Sequence, residues 1–150
     1  GEAGGHECWL VGELEARLKA RVDHYAAMEF RKAAAETRAI WAAGNEYLTR
    51  AAPWAAYKTD PDRAAIGVRV GLNLAALFGI IAQPIIPNAA ATILDALNVP
   101  ADRRSFDFGE AQALIDALPH GHEIAPPDVL FKKIEDADIE AWSQRFGGAQ

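Results

Sequence analysis

Cysteine is almost missing from this chain. Cys8 stands alone, so no disulfide can form within it. Four histidines are scattered along the sequence, and with one thiol they do not compose a closed zinc site. The lone cysteine fits a reducing, cytoplasmic setting. Basic excess is absent too. Lys and Arg number 15 against 21 Asp and Glu, a formal net charge of -6. This excludes a strongly basic, RNA-coating surface, and any nucleic-acid contact has to be local and shape-driven. The first ten residues hold no basic cluster followed by an apolar run, so no secretory signal is present there. The most apolar run, Val70 to Ala82 broken by Asn73, is about 13 residues, short of the roughly 20 that cross a bilayer. No membrane partner is expected.

Catalytic signatures are lacking as well. No G-x-S-x-G occurs, and Gly67-Val68-Arg69-Val70-Gly71 lacks the strand context and the Lys-Ser/Thr ending of a phosphate loop. His120, His122 and Glu123 read as a solvated loop rather than half a metal site. His6 and Cys8 are isolated. Glu135, Asp136 and Asp138 read as a solvated helix start.

What is present is helix-forming sequence. Hydrophobic residues make up 51% of the 150 residues, enough for a core and too many for a disordered chain. Ala and Leu dominate the middle, and β-branched runs are rare. Leu10, Leu14, Leu18, Val22 and Tyr25 form a stripe over about Trp9 to Ala27. Glu13–Arg17 and Glu15–Lys19 add charge pairs on its solvent side. A second helix is predicted over about Glu29 to Ala52, with Phe30, Ala34, Thr37, Trp41, Gly44, Leu48 and Ala51 on one face and Pro53 ending it. A third starts with Asp60 as N-cap and Pro61 at the first position, and runs to Ala82. Being apolar nearly all round, it is placed centrally, with Gly67, Gly71 and Gly79 admitting close neighbours.

Asn88 to Leu97 predicts a fourth helix, Glu110 to Leu118 a short one, and Ala137 to Phe146 a last one, with Phe106 and Phe108 plugging the bundle. The fold expected is all-α: an antiparallel helical bundle with an irregular C-terminal arm. Residues 1–8 are assigned to a flexible N-terminal end, 9–118 to the bundle, and 119–150 to the arm with a closing segment and terminal helix.

Ala52-Pro53-Trp54 is the sharpest local feature. A tryptophan just after a helix-ending proline either packs under the helical hairpin or offers a stacking platform for an unpaired base. Asn45 and Thr49 share a face upstream, with side chains able to hydrogen-bond beside Trp54. Arg50, Lys58 and Arg63 are the nearby cations, suited to weak phosphate contact.

Several segments together carry a family resemblance. They are Glu29-Phe30-Arg31-Lys32-Ala33, Asn45-Glu46-Tyr47, Ala52-Pro53-Trp54-Ala55-Ala56-Tyr57-Lys58, Leu72-Asn73-Leu74 through Ile81-Ala82-Gln83-Pro84-Ile85-Ile86-Pro87, Ala89 to Leu97, and Leu130-Phe131-Lys132-Lys133-Ile134-Glu135. Their order and spacing over about Met28 to Asp136 resemble the C-terminal anticodon-binding domain of methionyl-tRNA synthetases. The resemblance implies that Trp54 stacks on an anticodon base with Pro53 fixing its position, and that Asn45 matches a family asparagine. Thr49, Lys58 and Arg50 complete the expected RNA-binding set. It implies two partners, the anticodon loop of a tRNA and the catalytic domain of the same enzyme.

The family's other anticodon readers, an Asn and an Arg on a preceding helix, have no match here, and Lys133 stands where the closing segment usually has Arg. The His-Ile-Gly-His-like and Lys-Met-Ser-Lys-Ser-like motifs and the zinc-binding insertion are absent. The chain is therefore expected to be a recognition module with no cofactor of its own and no activity alone, ATP and Mg serving the intact enzyme. An anticodon domain of another class I synthetase, and a non-enzymatic helical interaction module with Trp54 in its core, are the alternatives at this point.

Overall fold

The computed structural model describes residues 4–105, 113 and 115–147. Helix α1 (Gly5–Ala26) and helix α2 (Phe30–Ala51) form a hairpin. Arg21 meets Thr37 and Glu7 meets Tyr47, so the two helices run antiparallel. A one-turn helix, α3 (Pro53–Ala56), leads into α4 (Pro61–Ala82). Asp60 caps α4, its Oδ1 accepting from the Arg63 N–H at 3.0 Å. Then come α5 (Pro87–Ala96), a 3-10 turn at Ala101–Arg103, and α6 (Asp136–Phe146). No strand occurs among the described residues, and the expected all-α bundle is what forms.

Helix α4 is the central element. Leu10, Leu14 and Leu18 of α1, Ile40 and Tyr47 of α2, and Val70, Leu74, Leu77 and Ile81 of α4 share one core, which Ile115 joins. A second cluster on the other side of α4 gathers Ala76, Leu94, Leu97, Val99 and Leu118. Burial on two sides explains why α4 is apolar all round. By length and composition it is the one helix among the described residues able to cross a membrane, but half of that stretch is buried inside the bundle.

Several expectations are revised. The sequence predicts a flexible end over residues 1–8; in the structure α1 already includes Gly5 and Glu7 is buried. On α1 the buried position near the C-terminus is Arg21 rather than Val22 or Tyr25, which are half-buried. On α2 the buried set is Ala33, Thr37, Ile40, Ala43, Gly44 and Tyr47, while Phe30 is exposed. The reason is geometric: α2 packs on α1 through Thr37 and Tyr47 and on α4 through Gly44 and Leu48, so its buried arc is wider than one stripe. The Glu13–Arg17 pair forms at 2.7 Å, but Lys19 pairs with Asp23, also at 2.7 Å, instead of Glu15. The plug of Phe106 and Phe108 and residues 110–112 and 114 of the short helix expected over Glu110 to Leu118 lie outside the described residues. From Glu123 to Gly147 every residue is exposed, including Val129, Phe131, Ile134 and Trp142.

Candidate nucleic-acid interface

The α2–α3–α4 corner is built by two prolines and one strained alanine. Pro53 cannot continue α2, and Ala52 turns the chain by adopting the left-handed conformation, φ 39° and ψ 57°. Its N–H still donates to the Leu48 carbonyl at 2.9 Å, so α2 closes in a hydrogen-bonded turn. Pro53 then starts α3 at the position where a missing N–H costs nothing. Its ring is buried against α4 at Gly67, where a Cβ would lie 3.2 Å from Pro53 Cβ. Gly67 thus lets α3 approach α4 closely.

With Pro53 buried, Trp54 points outward. It is 65% exposed, and Tyr57 one turn on is 72% exposed. Both rings edge a cleft of about 640 Å³. Ala64, Ala65, Val68 and Leu72 of α4 form its floor, and the loop from Leu118 to His122 forms the far wall. His122 Nε2–H donates to the Leu97 carbonyl at 2.6 Å, and the Ala125 N–H donates to the Ala96 carbonyl at 2.7 Å, tying that loop to the end of α5. Arg69 lines the cleft and pairs with Asp116 at 3.1 Å. A flat aromatic group can lie against the open face of Trp54, over an apolar floor with a cation beside it.

The other predicted residues are dispersed. Asn45 and Thr49 are exposed on α2 but do not line the cleft; the Thr49 hydroxyl donates to the Asn45 carbonyl at 2.9 Å. Arg50 is engaged, pairing with Glu46 and stacking 4.3 Å above the Trp9 ring. Lys58 is exposed next to Tyr57. Arg63 is held by Glu7 at 2.8 Å and is not available as a surface cation. Sequence reasoning missed Tyr57 and the far wall. Tyr57 carried a usable signal, lying one helical turn from Trp54.

Burial alone would raise the Glu7 carboxyl's pKa, but hydrogen bonds from Arg63 and Tyr47, together with the Arg63 charge, outweigh burial and hold it below its ordinary value. The same bond raises the Arg63 pKa despite partial burial. Burial, then the neighbouring carboxylate, pushes the Tyr47 phenol well up, so it remains a donor. Among the described residues, no group of three or more His, Cys, Asp or Glu is arranged to hold a metal ion.

Comparison with known proteins decides the family. The family described as the anticodon-binding domain of methionyl tRNA ligase matches residues 1–150. The chain belongs to this family. The resemblance visible over Met28 to Asp136 therefore extends across all of it. The chain is 66% identical over 150 residues to the methionine–tRNA ligase of Maricaulis maris, with 99% of the chain and 26% of that protein covered. It is 60% identical over 154 residues to that of Hyphomonas neptunium, with 100% and 27% covered. For the Caulobacter vibrioides ligase the identity is 49% over 152 residues, with 100% and 26% covered. The chain spans about a quarter of the length of these relatives. Membership removes the two alternatives, another synthetase's domain and an unrelated interaction module.

Proposed function

We propose that this anticodon-binding domain reads the anticodon loop of a methionine-accepting tRNA, and that Trp54 is its stacking platform. The observation that carries the reading is the orientation of the corner: Pro53 is buried and Trp54 is 65% exposed beside an open cleft. A tryptophan that only packed would hide its ring faces. Pro53 fixes the ring from below, and Lys58 offers a phosphate contact next to it. Asn45 and Thr49 extend a polar strip along α2, and Arg50 acts there chiefly by holding Trp9 and Glu46.

In this reading the domain is part of a cytoplasmic methionine–tRNA ligase, whose catalytic domain uses ATP and Mg to attach methionine. This chain supplies recognition and no catalytic group. The net charge of -6 leaves most of the phosphate affinity to the rest of the enzyme. Trp54→Ala in the full-length enzyme tests the assignment by titration with tRNA. Losing one base stack costs about 1–3 kcal/mol, so the Kd rises roughly tenfold to a hundredfold. An unchanged Kd would overturn the stacking assignment.

A further inference from the structure

One carboxylate from α1 holds both legs of the Trp54 corner. Glu7 is 3% exposed. Its Oε1 accepts from the Tyr47 hydroxyl at 2.6 Å and from Arg63 Nη2 at 2.8 Å. Its Oε2 accepts from Arg63 Nη1 at 3.1 Å and from the Gly4 N–H at 2.9 Å. Arg63 therefore grips it with a two-pronged fork, which fixes direction as well as distance. Tyr47 is fully buried on α2, little more than a turn before Ala52. Arg63 lies in the first turn of α4, just after the Asp60 cap. Everything between these two anchors, from Leu48 to Asp62, is the corner that presents Trp54 and Tyr57.

We infer that Glu7 is a positioning residue for tRNA binding: with Tyr47 and Arg63 it sets the spacing of α2 and α4 and so the placement of Trp54. The inference rests on the reading of Trp54 as the stacking residue. Its physical basis is that stacking and positioned contacts are lost steeply when a ring moves by an ångström or so. Apolar packing could hold these helices together, but it does not fix direction as a two-pronged ion pair does. The segment itself is a run of hydrogen-bonded turns, from the Ala52 N–H on the Leu48 carbonyl to the Asp60 N–H on the Ala56 carbonyl, so it is placed as a unit. Where that unit sits depends on how far apart its two legs are held.

The test is a double-mutant cycle in the full-length enzyme, reading the KM for tRNA, with folding checked by circular dichroism. Glu7→Gln keeps the shape and removes the charge. Tyr47→Phe removes one hydroxyl and leaves the Arg63 fork in place, so it carries the test if Glu7→Gln fails to fold. Residues acting through one another give non-additive effects, so either variant raises the KM about three- to tenfold when Trp54 is present and less than about twofold when Trp54→Ala is already made. If Trp54→Ala raises the KM but the α1 and α2 variants leave it unchanged, or add to it in full, the positioning inference is wrong and the stacking reading stands. If Trp54→Ala leaves the KM unchanged, the stacking reading fails and the inference falls with it.

Discussion

Arg21 on α1 donates from Nη2 to the Ile81 carbonyl in the last turn of α4, at 2.8 Å. The guanidinium is buried, also donates from Nε to the Thr37 hydroxyl at 3.0 Å, and lies 4.7 Å from the Tyr25 ring centre. It thus joins three helices and places a positive charge at the negative end of α4. Burial pulls its pKa down, though an arginine remains charged. Removing it leaves the Ile81 carbonyl without this partner and opens a cavity. Arg21→Ala should cost about 2–4 kcal/mol. Arg21→Met, which refills the space, should cost less. Urea denaturation of both variants checks the order; equal stabilities for Arg21→Ala and the unsubstituted domain would contradict it.

Acid stability should report on Glu7. Its pKa in the folded chain is lower than in the unfolded chain, so the unfolded state takes up a proton first as pH falls. Its contribution to stability is complete above the usual glutamate value of about 4.3 and is lost as pH drops through the lower folded value. Glu7→Gln lacks this dependence. The gap in melting temperature between the two proteins should be widest near neutrality and shrink below about pH 4. A gap independent of pH would show that the carboxylate's charge is not what holds the corner.

Ala52 tests the local geometry of the corner. A left-handed alanine costs roughly 1–2 kcal/mol, and a β-branched residue there costs more. Ala52→Val should lower stability by at least about 1 kcal/mol, while Ala52→Gly should leave it equal or slightly raised. Thermal denaturation of the pair decides. Equal losses for Val and Gly would mean that the backbone at this position is not left-handed in solution.

Local signals in the sequence were sufficient for much of this architecture. Asp60-Pro61 and the α4 run were legible because cap, proline and apolar content act within a few residues. Pro53-Trp54 stands out in the sequence as a helix-ending proline before a large aromatic, though periodicity alone leaves the ring either packed or open. The α2 face was misjudged at Phe30 because a single stripe presumes one neighbour, and α2 has two. Glu7 was invisible for a different reason. Its partners, Tyr47 and Arg63, are distant in sequence, and an isolated glutamate carries no pattern that announces burial. Around His120 and His122 the sequence shows only a loop, because the far wall of the cleft exists only once the fold brings it opposite Trp54.

The chain by itself carries none of the class I catalytic motifs. Purified alone, it should give no methionine-dependent exchange of pyrophosphate into ATP. Clear exchange above a buffer blank would reveal catalytic groups that neither the sequence nor the cleft discloses.

The most direct test of the recognition role compares two activities of the full-length enzyme with and without Trp54. On the proposed reading, aminoacylation needs the anticodon contact, whereas amino-acid activation does not. Trp54→Ala should reduce kcat/KM for tRNA charging about tenfold to a hundredfold, the worth of one lost base stack. ATP–pyrophosphate exchange and the melting temperature should stay close to those of the unsubstituted enzyme. If charging, exchange and melting temperature fall together, Trp54 is holding the fold rather than a base, and the stacking account is wrong.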